Sequence, residues 1–439
     1  MKRFIRVGAL GIAALLIVGA CSAGGASPSA GGEESPAASV AGSPAASAPA
    51  GGASLPPAED LGTIEIAAGD PLHIAYWGVL SGADSTLGED SKRGVEIAVD
   101  DKGGKLLDHD ISLTQEDALC TPEGGATAAQ KLASDTTIVA LIGSACSDET
   151  VGGIQTLTEA GLTTISPSNT RPALTAEDRD ATYAGYARTA HSDAFQGKAV
   201  AEWAFNEKAV KTAATIHDGS AYAEALQQVF ADEFTALGGE IVAQEAVSKG
   251  DTDMGPALTA IAATDPDMLY FPVFVAEGGF IAAQALETPG LEDVIRVGSD
   301  GMFTPDFVTA AGAGAEGMFL SSPNFSAFQE GYASFLEKHT AKFGESPVSA
   351  FHAHAYDATN IVFNAIEQVA VQNSDGSLSI PKGALRQAIF ATKDFPGLTG
   401  VLSCSPTGDC GAPLIAVYEI TAREAGGEWP PEAPIWPTE

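Results

Sequence analysis

Residues 141–170 read LIGSACSDETVGGIQTLTEAGLTTISPSNT. The apolar run Ile138 to Ile142 stops at Gly143, small hydroxyl residues follow, and a helix-like stretch covers about Thr150 to Ala160. A second apolar run, Leu162 to Ile165, stops at Ser166-Pro167-Ser168-Asn169-Thr170. The order is strand, polar loop, helix, strand, polar loop. In a parallel sheet both loops leave the same edge, beyond the carboxyl ends of their strands, where open α/β sheets bind small ligands. Ser144, Ser147, Ser168 and Thr170 would present hydroxyls and backbone N–H groups there, beside helix N-termini suited to a carboxylate. Ser and Thr also cap helices routinely; two such loops in tandem favour a binding edge.

Outward from this stretch the same alternation continues. Leu72 to Trp77 reads as a strand, Lys92 to Asp100 as a helix ended by Gly103-Gly104, and Asp110 to Gln115 as a second strand. Thr121-Pro122 opens a helix as N-cap and first-turn proline. A fresh α/β series begins near His191, placing a domain boundary near residue 192. It holds strands at Thr212 to Ile216, Ile241 to Glu245, Met268 to Val275 and Ile295 to Gly298, with helices between them. Repeating β-α-β order argues for mostly parallel sheets covered by helices. Further on, Phe325 to Phe343, Ala350 to Ala370 and Leu385 to Ala391 read as helices. Gly400 to Cys404 and Leu414 to Ile420 read as a hairpin, and the Pro-rich tail after Glu428 shows no core pattern. His352 and His354 are two apart and share no helix face, so they are read as structural or solvent-facing.

The N-terminus sets the compartment. Lys2, Arg3 and Arg6 precede an apolar stretch, Val7 to Val18, too short for a membrane span. It ends in Val18-Gly19-Ala20-Cys21, which resembles a bacterial lipobox. Residues 1–20 are read as a lipoprotein signal peptide and Cys21 as the acylated residue. Residues 22–58 are almost wholly Ala, Gly, Ser and Pro, so they cannot offset their ordering entropy and form a tether within a 21–69 linker.

The chain has 439 residues, enough for two domains, and a formal net charge of −35. Losing the leader removes three basic residues and no acidic one, leaving 19 against 57 acidic residues. The charge balance argues against nucleic acid as a partner, because phosphate binding needs clustered Lys and Arg. Beyond Cys21 four cysteines remain, and outside the cytoplasm an even number favours disulfides. Order alone allows three pairings. Cys404 and Cys410 flank a turn-like segment and pair most simply with each other, which leaves Cys120 with Cys146.

These loops, the lipobox and the cysteines together resemble a type I periplasmic binding protein, similar to the leucine/isoleucine/valine-binding proteins of ABC importers. The resemblance runs from about Leu72 to Ile420. It is carried by Leu141 to Ser147, Ile165 to Pro172, Arg188-Thr189-Ala190 with Asp193 and Gln196-Gly197, and His217-Asp218 with Tyr222. Ala315 to Met318 and Ala355 to Ala358 also fit. It implies two α/β lobes, each a mostly parallel sheet flanked by helices. Lobe one would be 70–191 with 325–396, lobe two 193–321 with 397–423, and 424–439 a Pro-rich tail. Crossings would fall near 191–194, 321–326 and 396–400. A lobe-one disulfide of the family matches Cys120 with Cys146.

The family holds an α-amino acid by its charged ends. The resemblance puts Ser147 and Thr170, with backbone around Ser168, at the carboxylate. It puts Tyr222 and Phe274 in the cleft, Asp300 at the ammonium, and Trp77 and Leu87 at the side-chain pocket. Leu87 stands where close relatives of the leucine binder carry Tyr, so the pocket is altered. The reading implies an extracytoplasmic, lipid-anchored monomer that passes an amino acid or small amide to an ABC permease, with no cofactor and no metal. The alternative is a sensor subunit of a signalling system built on the same fold. A hydrolase is disfavoured: there is no Gly-x-Ser-x-Gly elbow and no His-Glu-x-x-His motif.

Overall fold

The computed structural model describes residues 58–437. The expected leader, Cys21 and most of the expected linker lie outside the described residues.

Two six-stranded sheets organise the chain. The first runs Lys105–Leu106, His109–Asp117, Leu72–Gly78, Ile138–Gly143, Thr164–Ser166, Tyr186–Arg188. All its neighbours are parallel except the Lys105–Leu106/His109–Asp117 hairpin. Leu72–Gly78 and Ile138–Gly143 are buried along their whole length, which is why they are continuous apolar runs, whereas His109–Asp117 nearer the edge is only partly covered. The second sheet runs Ile415–Glu419, Phe319–Pro323, Ile295–Gly298, Met268–Tyr270, Thr212–His217, Glu240–Ala246. Only Ile415–Glu419 is antiparallel to its neighbour.

The helix Pro122–Ser134 starts as its residues dictate: Thr121 Oγ1 accepts from Gly124 N at 3.0 Å, and Pro122 occupies the first turn. It packs backbone to backbone on Ser147–Glu159. A Cβ on Gly125 would lie 2.2 Å from Glu149 O, and one on Gly152 1.9 Å from Pro122 O. Only glycine permits that approach, and the Cys120–Cys146 disulfide ties the same two helix starts together, with Cα atoms 5.2 Å apart.

The chain crosses between lobes after Arg188, after Pro323, and between Cys410 and Ile415. The third crossing lies later than the expected 396–400. Gly400–Leu402 pairs with Phe395–Gly397, and Leu402 and Cys410 are buried in the core of lobe one. The Cys404–Cys410 disulfide closes the following loop. That loop is held on the end of Tyr186–Arg188: Arg188 N donates to Gly408 O at 2.8 Å, and Cys410 N to Arg188 O at 3.0 Å. The buried Arg188 guanidinium pairs with Asp409 at 2.7 Å. The expected hairpin of Gly400–Cys404 with Leu414–Ile420 therefore does not form, since each half is drawn into a different lobe.

Two boundaries also differ from expectation. Thr63–Ile66, placed in the linker, is a strand antiparallel to Leu378–Pro381, and its period of two buries Ile64 and Ile66. The tail is part of lobe two. Trp429 packs edge-on to Phe303 at 4.8 Å, and Val417 exchanges backbone hydrogen bonds with Ile435 and Trp436. Among the described residues no helix is long and apolar enough to cross a membrane.

Candidate ligand cleft

The loops after Ile138–Gly143 and Thr164–Ser166 meet at one edge of lobe one. Their hydroxyls mainly stitch the loops together. Ser166 Oγ donates to Ser144 O at 2.7 Å, Ser168 Oγ to Ala145 O at 2.8 Å, and Asn169 Nδ2 to Ser144 Oγ at 3.1 Å. Ser144 is therefore a support of the loop. Ser147 opens the helix Ser147–Glu159, and its buried Oγ has no partner among the described residues. The helix start is partly satisfied from within, because Glu149 accepts from Ala145 N, Cys146 N and Cys120 N, each at 2.9 Å. Burial pushes the Glu149 carboxyl up to about 7 despite those three donors.

Facing these loops, lobe two presents Asp300, the first residue of a short turn after Ile295–Gly298. Tyr222 OH donates to Asp300 Oδ1 at 2.5 Å and lies 2.6 Å from Ser299 Oγ. Gln196 Nε2 donates to Asp300 Oδ1 at 3.0 Å and to Ser321 Oγ at 2.9 Å. With its amide so oriented, Gln196 Oε1 accepts from His191 Nε2 at 2.7 Å. Gly301 is obligatory: a Cβ there would lie 2.9 Å from Val273 O.

The electrostatics of lobe two are negative. Asp193 is fully buried, and neither carboxylate oxygen has a hydrogen-bond partner among the described residues. Its carboxyl is pushed well above the usual range, first by burial and then by the charge of Asp300. Burial also raises the Tyr222 phenol, with Asp300 adding to the effect, and holds His191 below its ordinary value. Arg188, the buried cation nearby, is spent on Asp409.

Between the lobes lies a narrow cleft lined by Leu87, Cys146, Ser147, Ser168, Tyr222, Phe274, Asp300, Gly301 and Phe351, with Ala145. Six of the eight residues expected in the cleft thus come together. Thr170 does not line it; it lies buried at the first crossing, where its carbonyl accepts from Asp193 N at 2.9 Å. Trp77 is a correction. It is fully buried in the lobe-one core among Ala128, Leu132, Leu141 and Leu157, with Nε1 donating to Thr164 Oγ1 at 3.0 Å. Its place in a strand covered on both faces turns it toward the helices. Phe351 escaped the sequence reading because it stands alone before the helix His352–Val369, with no local motif to mark it. Among the described residues no group of three or more His, Cys, Asp or Glu could hold a metal ion.

A family model described as periplasmic binding protein matches residues 71–413. The chain belongs to this family. The binding protein is 25% identical over 364 residues to the Leu/Ile/Val-binding protein homolog 3 of Brucella melitensis, covering 82% of this chain and 94% of the relative. It is 27% identical to the solved LivJ of Streptococcus pneumoniae in complex with isoleucine, with a TM-score of 0.69 over 83% of this chain and 98% of that one. A solute-binding protein of R. palustris in complex with benzoate shares the fold at 22% identity, TM-score 0.70, over 83% and 96%. The binding protein is thus an extracytoplasmic, non-catalytic solute-binding protein of the type I class, related to the branched-chain amino acid binders. It binds a small polar ligand between its lobes as part of an ABC import system.

Proposed function

We propose that the ligand is a small α-amino acid with an apolar side chain, passed to an ABC permease by a protein anchored through an acylated Cys21. The observation that carries the reading is the placement of Asp300, with Tyr222 and Gln196 behind it, across the cavity from Ser147 and Ser168. A carboxylate in a dry, negative pocket calls for an ammonium, and a charge-assisted bond gains strength as the cleft excludes water. The hydroxyl of Ser147, at a helix start, suits the other end of a zwitterion. Leu87, Phe274 and Phe351 offer the apolar remainder.

Mass spectrometry of ligand released from denatured protein, followed by calorimetry with the common amino acids and benzoate, tests this. An amino acid bound in preference to benzoate is expected. Binding of benzoate alone, or of a ligand lacking an amine, overturns it. Cys21→Ser should release the protein from membranes in fractionation; unchanged membrane association removes the anchor from the proposal.

A further inference from the structure

Four polar contacts join the lobes around the rim of the cleft. Asp148, in the first turn of the lobe-one helix Ser147–Glu159, accepts from Ala221 N through Oδ1 at 3.2 Å and Oδ2 at 3.1 Å. Asp84 Oδ1 accepts from Val275 N at 3.3 Å. Thr86 Oγ1 donates to Asp306 Oδ2. Lys249 Nζ donates to the carbonyl of Cys120 at 2.9 Å and also lies over the Phe274 ring, 4.8 Å from its centroid.

Ala221 and Val275 are the first residues of the lobe-two helices Ala221–Ala236 and Val275–Glu287. First-turn N–H groups have no partner inside their own helix. Ser220 caps the first helix at Ala223 N, two residues further in, and Phe274 offers no side-chain cap to the second. Within lobe two these two N–H groups have nothing to bond; when the lobes meet, carboxylates of lobe one answer them. The helix dipoles favour negative charge at just these ends. Lys249 is a cation shared by Asp84, Asp148 and Glu149, and Arg171 also acts on Asp148.

We infer that Asp84 and Asp148 are positioning residues that cap lobe-two helices from lobe one, and that with Lys249 they fix the lobe separation and so the largest ligand the cleft can close on. The inference rests on the ligand lying between the lobes, and it deepens the proposed function by naming what limits ligand size. A ligand needing more room between Ser147 and Asp300 than the closed cleft leaves would hold Ala221 and Val275 away from their caps. Neither aspartate lines that cleft, so each acts through closure and not through contact with ligand.

The test reads the two amides directly. In full-length protein, hydrogen exchange at Ala221 and Val275 should quicken at least tenfold in the Asp84→Ala/Asp148→Ala variant, while core amides of both sheets keep their rates, which also shows that the variant folds. The Asp84→Asn/Asp148→Asn variant keeps an acceptor oxygen and should recover part of the protection. In stopped-flow with L-leucine and L-alanine, release should accelerate while association is unchanged. Unchanged exchange at both amides overturns the proposal whatever the ligands do. If exchange quickens but the parent binds neither amino acid, the caps stand and the amino-acid reading falls. If the parent binds and release is unaltered, the caps do not govern closure and the proposal falls.

Discussion

Replacing Asp300 with Asn should separate binding from stability, because the two respond in opposite directions. The side chain is 2% exposed, and Oδ1 carries the hydrogen bonds from Tyr222 and Gln196. Asn retains an acceptor in that position, so both donors keep their partner and the turn keeps its shape. The negative charge disappears. For the empty protein this removes a buried charge beside Asp193, whose carboxyl burial and then Asp300 push well above the usual range. Thermal stability should therefore hold or increase. For a bound ammonium the loss is that of one member of a buried charged pair, about 2–5 kcal/mol. That corresponds to about 30- to 5,000-fold in Kd. Calorimetry with the amino acid identified for the parent, alongside thermal unfolding, reads both quantities. Binding as tight as the parent's would falsify the assignment of Asp300 to the ammonium. Loss of binding with an equal loss of stability would make Asp300 a structural residue.

Three further outcomes are expected. Ser147→Ala removes one hydroxyl and should cost about 1 kcal/mol of affinity, much less than Asp300→Asn; an effect as large as that of Asp300→Asn in calorimetry would place more of the carboxylate recognition on this one group. Trp77→Phe should leave ligand affinity unchanged while lowering stability in urea unfolding by about 1–3 kcal/mol, through lost packing and the lost bond to Thr164. Stability should rise as pH falls from 8 to 5.5, because burial lifts the carboxyls of Glu149 to about 7 and Asp357 to about 6. A raised carboxyl stabilises the fold when protonated, and that gain is lost as pH climbs through the raised value; for Glu149 it amounts to about 2 kcal/mol across this window. Glu149→Gln should flatten the slope, and a slope of opposite sign in denaturant titrations would contradict the argument.

The elements most legible in the sequence were those whose burial is complete. Ile138–Gly143 and Leu72–Gly78 are apolar end to end because both faces are covered, and the polar stops after them mark the ligand edge. The same completeness hid the orientation of Trp77: when both faces are buried, apolarity does not say which one a side chain occupies. The hairpin of Gly400–Cys404 with Leu414–Ile420 was expected because Gly400–Leu402 and Ile415–Glu419 are both short apolar runs near each other in sequence. What separates them is long-range: the ion pair of Arg188 with Asp409, 221 positions away, holds the intervening loop on lobe one. Trp429, Ile435 and Trp436 pack on lobe two from a segment without periodicity. Lys249 is a lone lysine in a loop, and only the meeting of the lobes gives it a role.

The strand Thr63–Ile66 has a mechanical consequence. It joins the N-terminal segment to lobe one through Leu378–Pro381, reinforced by Lys382 N donating to Gly62 O at 2.9 Å and by the Glu59–Arg386 pair at 3.4 Å. Tension arriving along that segment enters lobe one and reaches lobe two only through the three crossings. With the anchor proposed at Cys21, lobe one would be the fixed platform of the pair and lobe two the swinging arm, free to open and shut without hauling on the anchor.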